Sequence, residues 1–117
     1  MTHQAPPSPA AAPADPGRQV AQLREALRLV ERIAGWPDSA SHESRLDEAA
    51  RISEAYARAL PIAQRRFEAL VAETALWAAD GVEALLAAED GAPPRAAAAR
   101  LAATLERTLS EMATLLR

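Results

Sequence analysis

After residue 17, apolar side chains recur at steps of three and four residues along most of the chain. This spacing places them on one face of an α-helix. The pattern predicts a first helix over 18–34, which ends at Gly35 because glycine can adopt the left-handed conformation there, and Pro37 cannot continue a helix. The apolar face of this helix carries Val20, Leu23, Leu27, Val30 and Ala34.

The longest periodic stretch covers 45–89 and contains Pro61 near its middle. On a helical wheel of about 100° per residue, the apolar positions before and after Pro61 point in the same direction. Inserted loop residues would rotate the second part arbitrarily, so the constant direction predicts one long helix kinked at Pro61, or two helices in line. The alternative is a sharp break with Pro61 as the first residue of a new helix, a position that proline favours.

A turn around Gly91 and Pro93 precedes the last helix, predicted over 94–117. The lengths then predict an all-α fold of elongated antiparallel hairpins, in which helices 18–34 and 94–117 each cover half of the central helix 45–89. A break at Pro61 gives a compact four-helix bundle instead.

Hairpins that are two helices thick leave part of each apolar face in water. Of the 117 residues 31 are alanine, so large apolar side chains are scarce and the core is expected to be thin. Both features favour a homo-oligomer or a complex with another protein. The candidate interface consists of Ile62, Leu76, Trp77, Leu86, Leu109 and Leu116.

Composition narrows the class of protein. Residues 1–17 hold five of the nine prolines and predict a disordered or polyproline-like tail before a single helical domain over 18–117. The net charge of −3 gives no general attraction to nucleic acid or to an anionic membrane, and the apolar stretches carry too many carboxylates to span a bilayer. The absence of cysteine and of a secretory signal favours a cytoplasmic protein.

Candidate chemistry is sparse. The chain contains two histidines, His3 in the tail and His42 in a predicted connection, and neither belongs to a metal-binding spacing. No GxSxG, HExxH or phosphate-binding glycine motif occurs, and the carboxylates of the long helix lie on its polar face. We therefore expect no catalytic residues, no metal and no cofactor, and a protein that is not an enzyme.

Arginines near Pro61 are the one candidate for a nucleic-acid contact, because an oligomer would repeat the cluster and could hold a phosphate backbone. The residues are Arg51, Arg58, Arg65 and Arg66.

The favoured hypothesis is an oligomerising adaptor or assembly protein that acts through helix–helix contacts with itself and an unidentified protein partner. In architecture alone, the predicted hairpins resemble the oligomerisation cores of small terminase subunits of tailed-phage packaging systems. That resemblance implies a first alternative, an oligomeric DNA-associated protein of the packaging or regulatory kind. A second alternative is a small monomeric inhibitor or regulator of one enzyme.

Overall fold

The computed structural model describes residues 15–37, 42–88 and 94–117. Across these ranges the chain forms helices and no strands, and the predicted all-α helical bundle or hairpin fold is confirmed. The tail predicted over 1–17 falls outside the described residues as far as residue 14. The helices are α1 (Pro16–Ala34), α2 (His42–Arg58), α3 (Pro61–Leu86) and α4 (Arg95–Leu115).

Helix α1 begins two residues earlier than the apolar pattern predicts, because Asp15 caps it. Its carboxylate oxygen Oδ1 accepts hydrogen bonds from the backbone N–H of Gly17 at 3.0 Å and of Arg18 at 3.3 Å. Pro16 occupies the first helical position, where its missing N–H costs no hydrogen bond. The same carboxylate oxygen accepts from the Ser53 hydroxyl at 3.1 Å, so the cap also connects α1 to α2.

Helix α1 ends where the sequence predicts. Gly35 has φ of 81° and ψ of 18°, a left-handed conformation that glycine adopts without a steric penalty. The N–H of Trp36 donates to the carbonyl of Glu31 at 2.9 Å, which satisfies one of the last helical carbonyls.

The helix does not continue through Pro61. Helices α2 and α3 are separate, as in the alternative arrangement, and the single kinked helix over 45–89 does not form. Leu60 adopts an extended conformation with φ of −65° and ψ of 150°, because a following proline disfavours the helical region. Pro61 then starts α3 at its first position, where the proline ring fits without breaking a hydrogen bond.

Polar and aromatic contacts bridge the break between α2 and α3. The Gln64 side chain donates from Nε2 to the carbonyl of Tyr56 at 2.7 Å, and the Tyr56 hydroxyl donates to Glu68. The Tyr56 ring lies 5.8 Å from the Phe67 ring between centroids, tilted by 58°. Such tilted pairs are favourable beyond their buried area. These contacts fix the angle at which α3 leaves α2.

The contact between α2 and α3 at Tyr56 should weaken at high pH. The hydrogen bond to Glu68 raises the pKa of Tyr56 above its ordinary value of 10.0, and burial and the charge of Glu68 act in the same direction. Because the pKa of Tyr56 is raised in the folded state, its hydrogen bond to Glu68 stabilises the fold fully below pH of about 10. This stabilisation is lost as the pH rises through the pKa of the folded state. Tyr56 is the chain's single tyrosine, so phenolate absorbance reports it alone. We expect a titration midpoint above 10.0 that falls in Glu68→Ala, and an unchanged midpoint in that variant would contradict the assignment.

Helix α1, and not the predicted long helix, is the shared element of the fold. It packs against α2, α3 and α4, while α3 also packs against α4. Gly35 at the end of α1 lies beside Arg95 at the start of α4, so these helices are antiparallel. Gly81 of α3 lies against Leu101 of α4, consistent with a second antiparallel pair. Helices α1, α3 and α4 therefore supply most of the core, and α2 forms a hairpin with α1 and adds Ile52 to the core.

The α1–α2 hairpin is held by close backbone approach and by an ion pair. Gly17 faces the backbone of Ala49 at a distance that leaves no space for a side chain. Further along, the Arg24 guanidinium donates to both carboxylate oxygens of Glu48, at 2.9 and 2.8 Å. A bidentate pair of this kind fixes register as well as adding stability.

The core is narrow, as the alanine content predicts. Its fully buried large side chains include Phe67, Leu105, Met112 and Val30, and between them lie buried alanines such as Ala98. The buried Thr74 hydroxyl donates to the carbonyl of Leu70 at 2.6 Å, so its polar group is satisfied within its own helix.

Candidate protein interface on helix α3

The structure divides the predicted interface residues into three groups. Ile62, Leu76 and Leu86 are exposed on α3, and Trp77 is half-buried beside the core. Leu109 and Leu116 are core residues and not surface residues. The reason is that α1 packs along α4 and covers the flank that a two-helix hairpin would leave in water.

Helix α3 is apolar on its outward side as well as towards the core. Its exposed positions include Leu76, Leu86 and a set of small apolar residues. The exposed charged residues of α3 are Arg65, Arg66, Glu68, Glu73, Asp80 and Glu83. The exposed alanines of α3 are Ala69, Ala72, Ala75, Ala79 and Ala84.

An apolar groove of about 590 Å³ runs between α1 and α3. Leu23, Ala26 and Leu29 form its α1 side, and glutamines Gln19 and Gln22 lie at one end. The groove opens beside the outward face of α3, because several residues belong to both surfaces. Its α3 side is lined by Val71, Ala72, Ala75, Ala78, Ala79, Val82, Glu83 and Leu86.

The sequence pattern missed most of this surface. Leu29, Ala72, Ala75 and Ala79 were not among the predicted interface residues, because alanine is common on both faces of a helix. The signal that could have found them is the composition of residues 69–79, in which Glu73 is the one charged residue.

The four arginines proposed as a nucleic-acid contact are all exposed, and the break at Pro61 divides them between two helices. Arg51 and Arg58 lie on α2, where Arg58 Nη2 is 3.8 Å from Glu54 Oε2. Arg65 and Arg66 lie on α3, just after its first turn.

The residues that the structure describes contain no group of three or more His, Cys, Asp and Glu side chains placed to hold a metal ion. None of their helices combines the length and apolar character that crossing a membrane requires. Comparison with protein-family models, curated proteins and solved structures gives no match for this chain.

Proposed function

We propose that this chain is a non-enzymatic adaptor or assembly protein of the cytoplasm that works by self-association through α3 and the α1–α3 groove. The observation that carries the proposal is the outward side of α3, where Ala69, Ala72, Leu76 and Ala79 are exposed beside an apolar groove. Isolated exposed apolar residues are ordinary on a protein surface, but a continuous apolar strip beside a groove is typical of an interaction site.

The occupant that we propose is a helix from a second copy of the same chain. The α1–α3 groove is long, apolar and bordered by helices, which suits an amphipathic or apolar helix. Alanines along the α3 side allow another helix to approach closely, since the distance between packed helices depends on side-chain size. A protein partner of the assembled form would then contact the remaining surfaces, including the exposed Leu46 and Leu60.

Light scattering with a DNA mobility shift tests this function. We expect a multimer whose dissociation constant rises only a few-fold between about 0.05 M and about 0.5 M salt, because salt screens exposed charged pairs but not apolar contacts. We also expect no retardation of duplex DNA. A multimer that retards DNA with an affinity falling steeply with salt would overturn the adaptor in favour of a DNA-associated protein acting through the exposed arginines. A monomer at every concentration would overturn self-association.

A further inference from the structure

The outward side of α3 carries opposite charges at its two ends. Arg65 lies about one turn from the start of the helix and Glu83 about one turn from its end. They are separated by 18 positions, which is five full turns and about 27 Å, so both project along the same line of the helix. Both side chains are exposed.

Apolar residues fill the space between these two charges. Ala69, Ala72, Leu76 and Ala79 lie within about 40° of the line from Arg65 to Glu83, and all four are exposed. We call these four residues, together with Arg65 and Glu83, the α3 outer strip. The neighbouring acidic side chains lie about 60° or more away from the line. They are Glu68, which accepts from the Tyr56 hydroxyl, Glu73 and Asp80.

We propose that the α3 outer strip binds the same strip of a second copy, with the two α3 helices antiparallel about a two-fold axis at the level of residue 74. Arg65 of each copy then meets Glu83 of the other, because these positions are equidistant from residue 74. Closer to the axis, Ala72 of each copy lies opposite Leu76 of the other, so that a small side chain faces a large one. The inference rests on the self-association proposed above and specifies its geometry.

Charge determines the direction of the pairing. Antiparallel helices form two Arg65–Glu83 pairs per dimer, whereas parallel helices would place Arg65 against Arg65 and Glu83 against Glu83. Like charges facing each other disfavour an interface, and opposite charges favour it. Antiparallel helices also place their dipoles head to tail. A two-fold interface of this kind uses the same patch on both copies and closes without leaving a free end.

The size of the strip determines the range of concentrations to be measured. A strip 27 Å long and about 10 Å wide covers roughly 270 Å² on each copy. A standard interface buries about 800 Å² per partner, so the strip and the adjoining groove together should give a weak, micromolar dimer. Sedimentation equilibrium from about 10 µM to about 1 mM covers that range.

Charge reversal tests the proposed pairing, because the two residues are too far apart on one helix to interact within a chain. We expect Arg65→Glu alone and Glu83→Arg alone to raise the dimer dissociation constant about tenfold each. The double variant restores opposite charges across the antiparallel interface and should return the constant to within about threefold of the unmodified chain. Both residues are exposed, so circular dichroism should show unchanged helicity.

A matched pair of substitutions tests the apolar part of the strip. Ala72→Glu places two carboxylates near the two-fold axis and should raise the dissociation constant at least a hundredfold. Ala84→Glu makes the same chemical change about 100° away from the strip on the same helix and should leave it within about threefold.

The outcomes separate this inference from the function on which it rests. A dimer in which the double charge reversal is no tighter than either single variant overturns the antiparallel pairing but keeps self-association. The same holds if Ala84→Glu disrupts the dimer and Ala72→Glu does not. An unmodified chain that stays monomeric throughout the concentration range overturns both.

Discussion

Phe67→Ala is expected to lower the free energy of unfolding by about 3–5 kcal/mol. Phe67 is fully buried and is the largest such side chain in the part of the chain that the structure describes. It touches Tyr56 across the break at Pro61, so its loss removes a core contact and the aromatic contact between α2 and α3. The narrow core has few large side chains that could move into the cavity, which places the loss near the upper part of this range.

Urea unfolding followed by circular dichroism measures the effect. The control is Leu46→Ala, at a side chain that is 71% exposed, which should change the free energy by less than about 0.5 kcal/mol. If Phe67→Ala does not fold, Phe67→Leu keeps most of the volume and should lose only about 1–1.5 kcal/mol. A loss below about 1 kcal/mol in Phe67→Ala would contradict the packing of α3 described above.

Gly17→Ala is expected to destabilise the fold by about 2 kcal/mol, although alanine is normally the better helix former. A Cβ at this position would lie 2.3 Å from the carbonyl oxygen of Ala49 and 2.5 Å from Ser53 Oγ. The carbonyl belongs to the backbone of α2 and cannot rotate away, so α1 and α2 must separate. This separation would also stretch the hydrogen bond between Ser53 and the Asp15 cap.

Gly81→Ala provides the matched comparison, since Gly81 also lies within a helix against a close neighbour. A Cβ there would meet Leu101 Cδ2 at 2.7 Å, which is the flexible end of a side chain. Movement of Leu101 and the higher helix propensity of alanine, about 1 kcal/mol, should nearly cancel. Thermal unfolding should therefore separate the two variants clearly. Equal melting temperatures would show that α1 and α2 are not packed as closely as Gly17 indicates.

The helices and the two hairpin pairings, α1 with α2 and α3 with α4, could be predicted from the sequence, whereas the packing of α1 against α3 and α4 could not. Gly35 ends α1 as expected because the left-handed conformation is a local property of glycine. The continuous helix over 45–89 was predicted wrongly, because equal phase on both sides of a proline does not require a continuous helix. The local preference of Leu60 for the extended conformation was the better guide.

The candidate interface was predicted only in part, because helical periodicity gives the direction of a side chain but not which other helix covers it. Ile62, Leu76 and Leu86 are exposed because their direction on α3 follows from helical periodicity. Leu109 and Leu116 are buried because α1 packs against α4, a long-range contact that no pattern within α4 encodes. The α1–α3 groove was missed because it lies between two helices that are distant in sequence.

The central claim, that a second copy covers the outward side of α3, is tested most directly by hydroxyl-radical footprinting at increasing protein concentration. Leu76 and Leu46 suit the comparison because each is 71% exposed in the single chain. Our account predicts that modification of Leu76 falls several-fold as the dimer forms, while modification of Leu46 stays constant. Equal modification of both leucines at every concentration would contradict it.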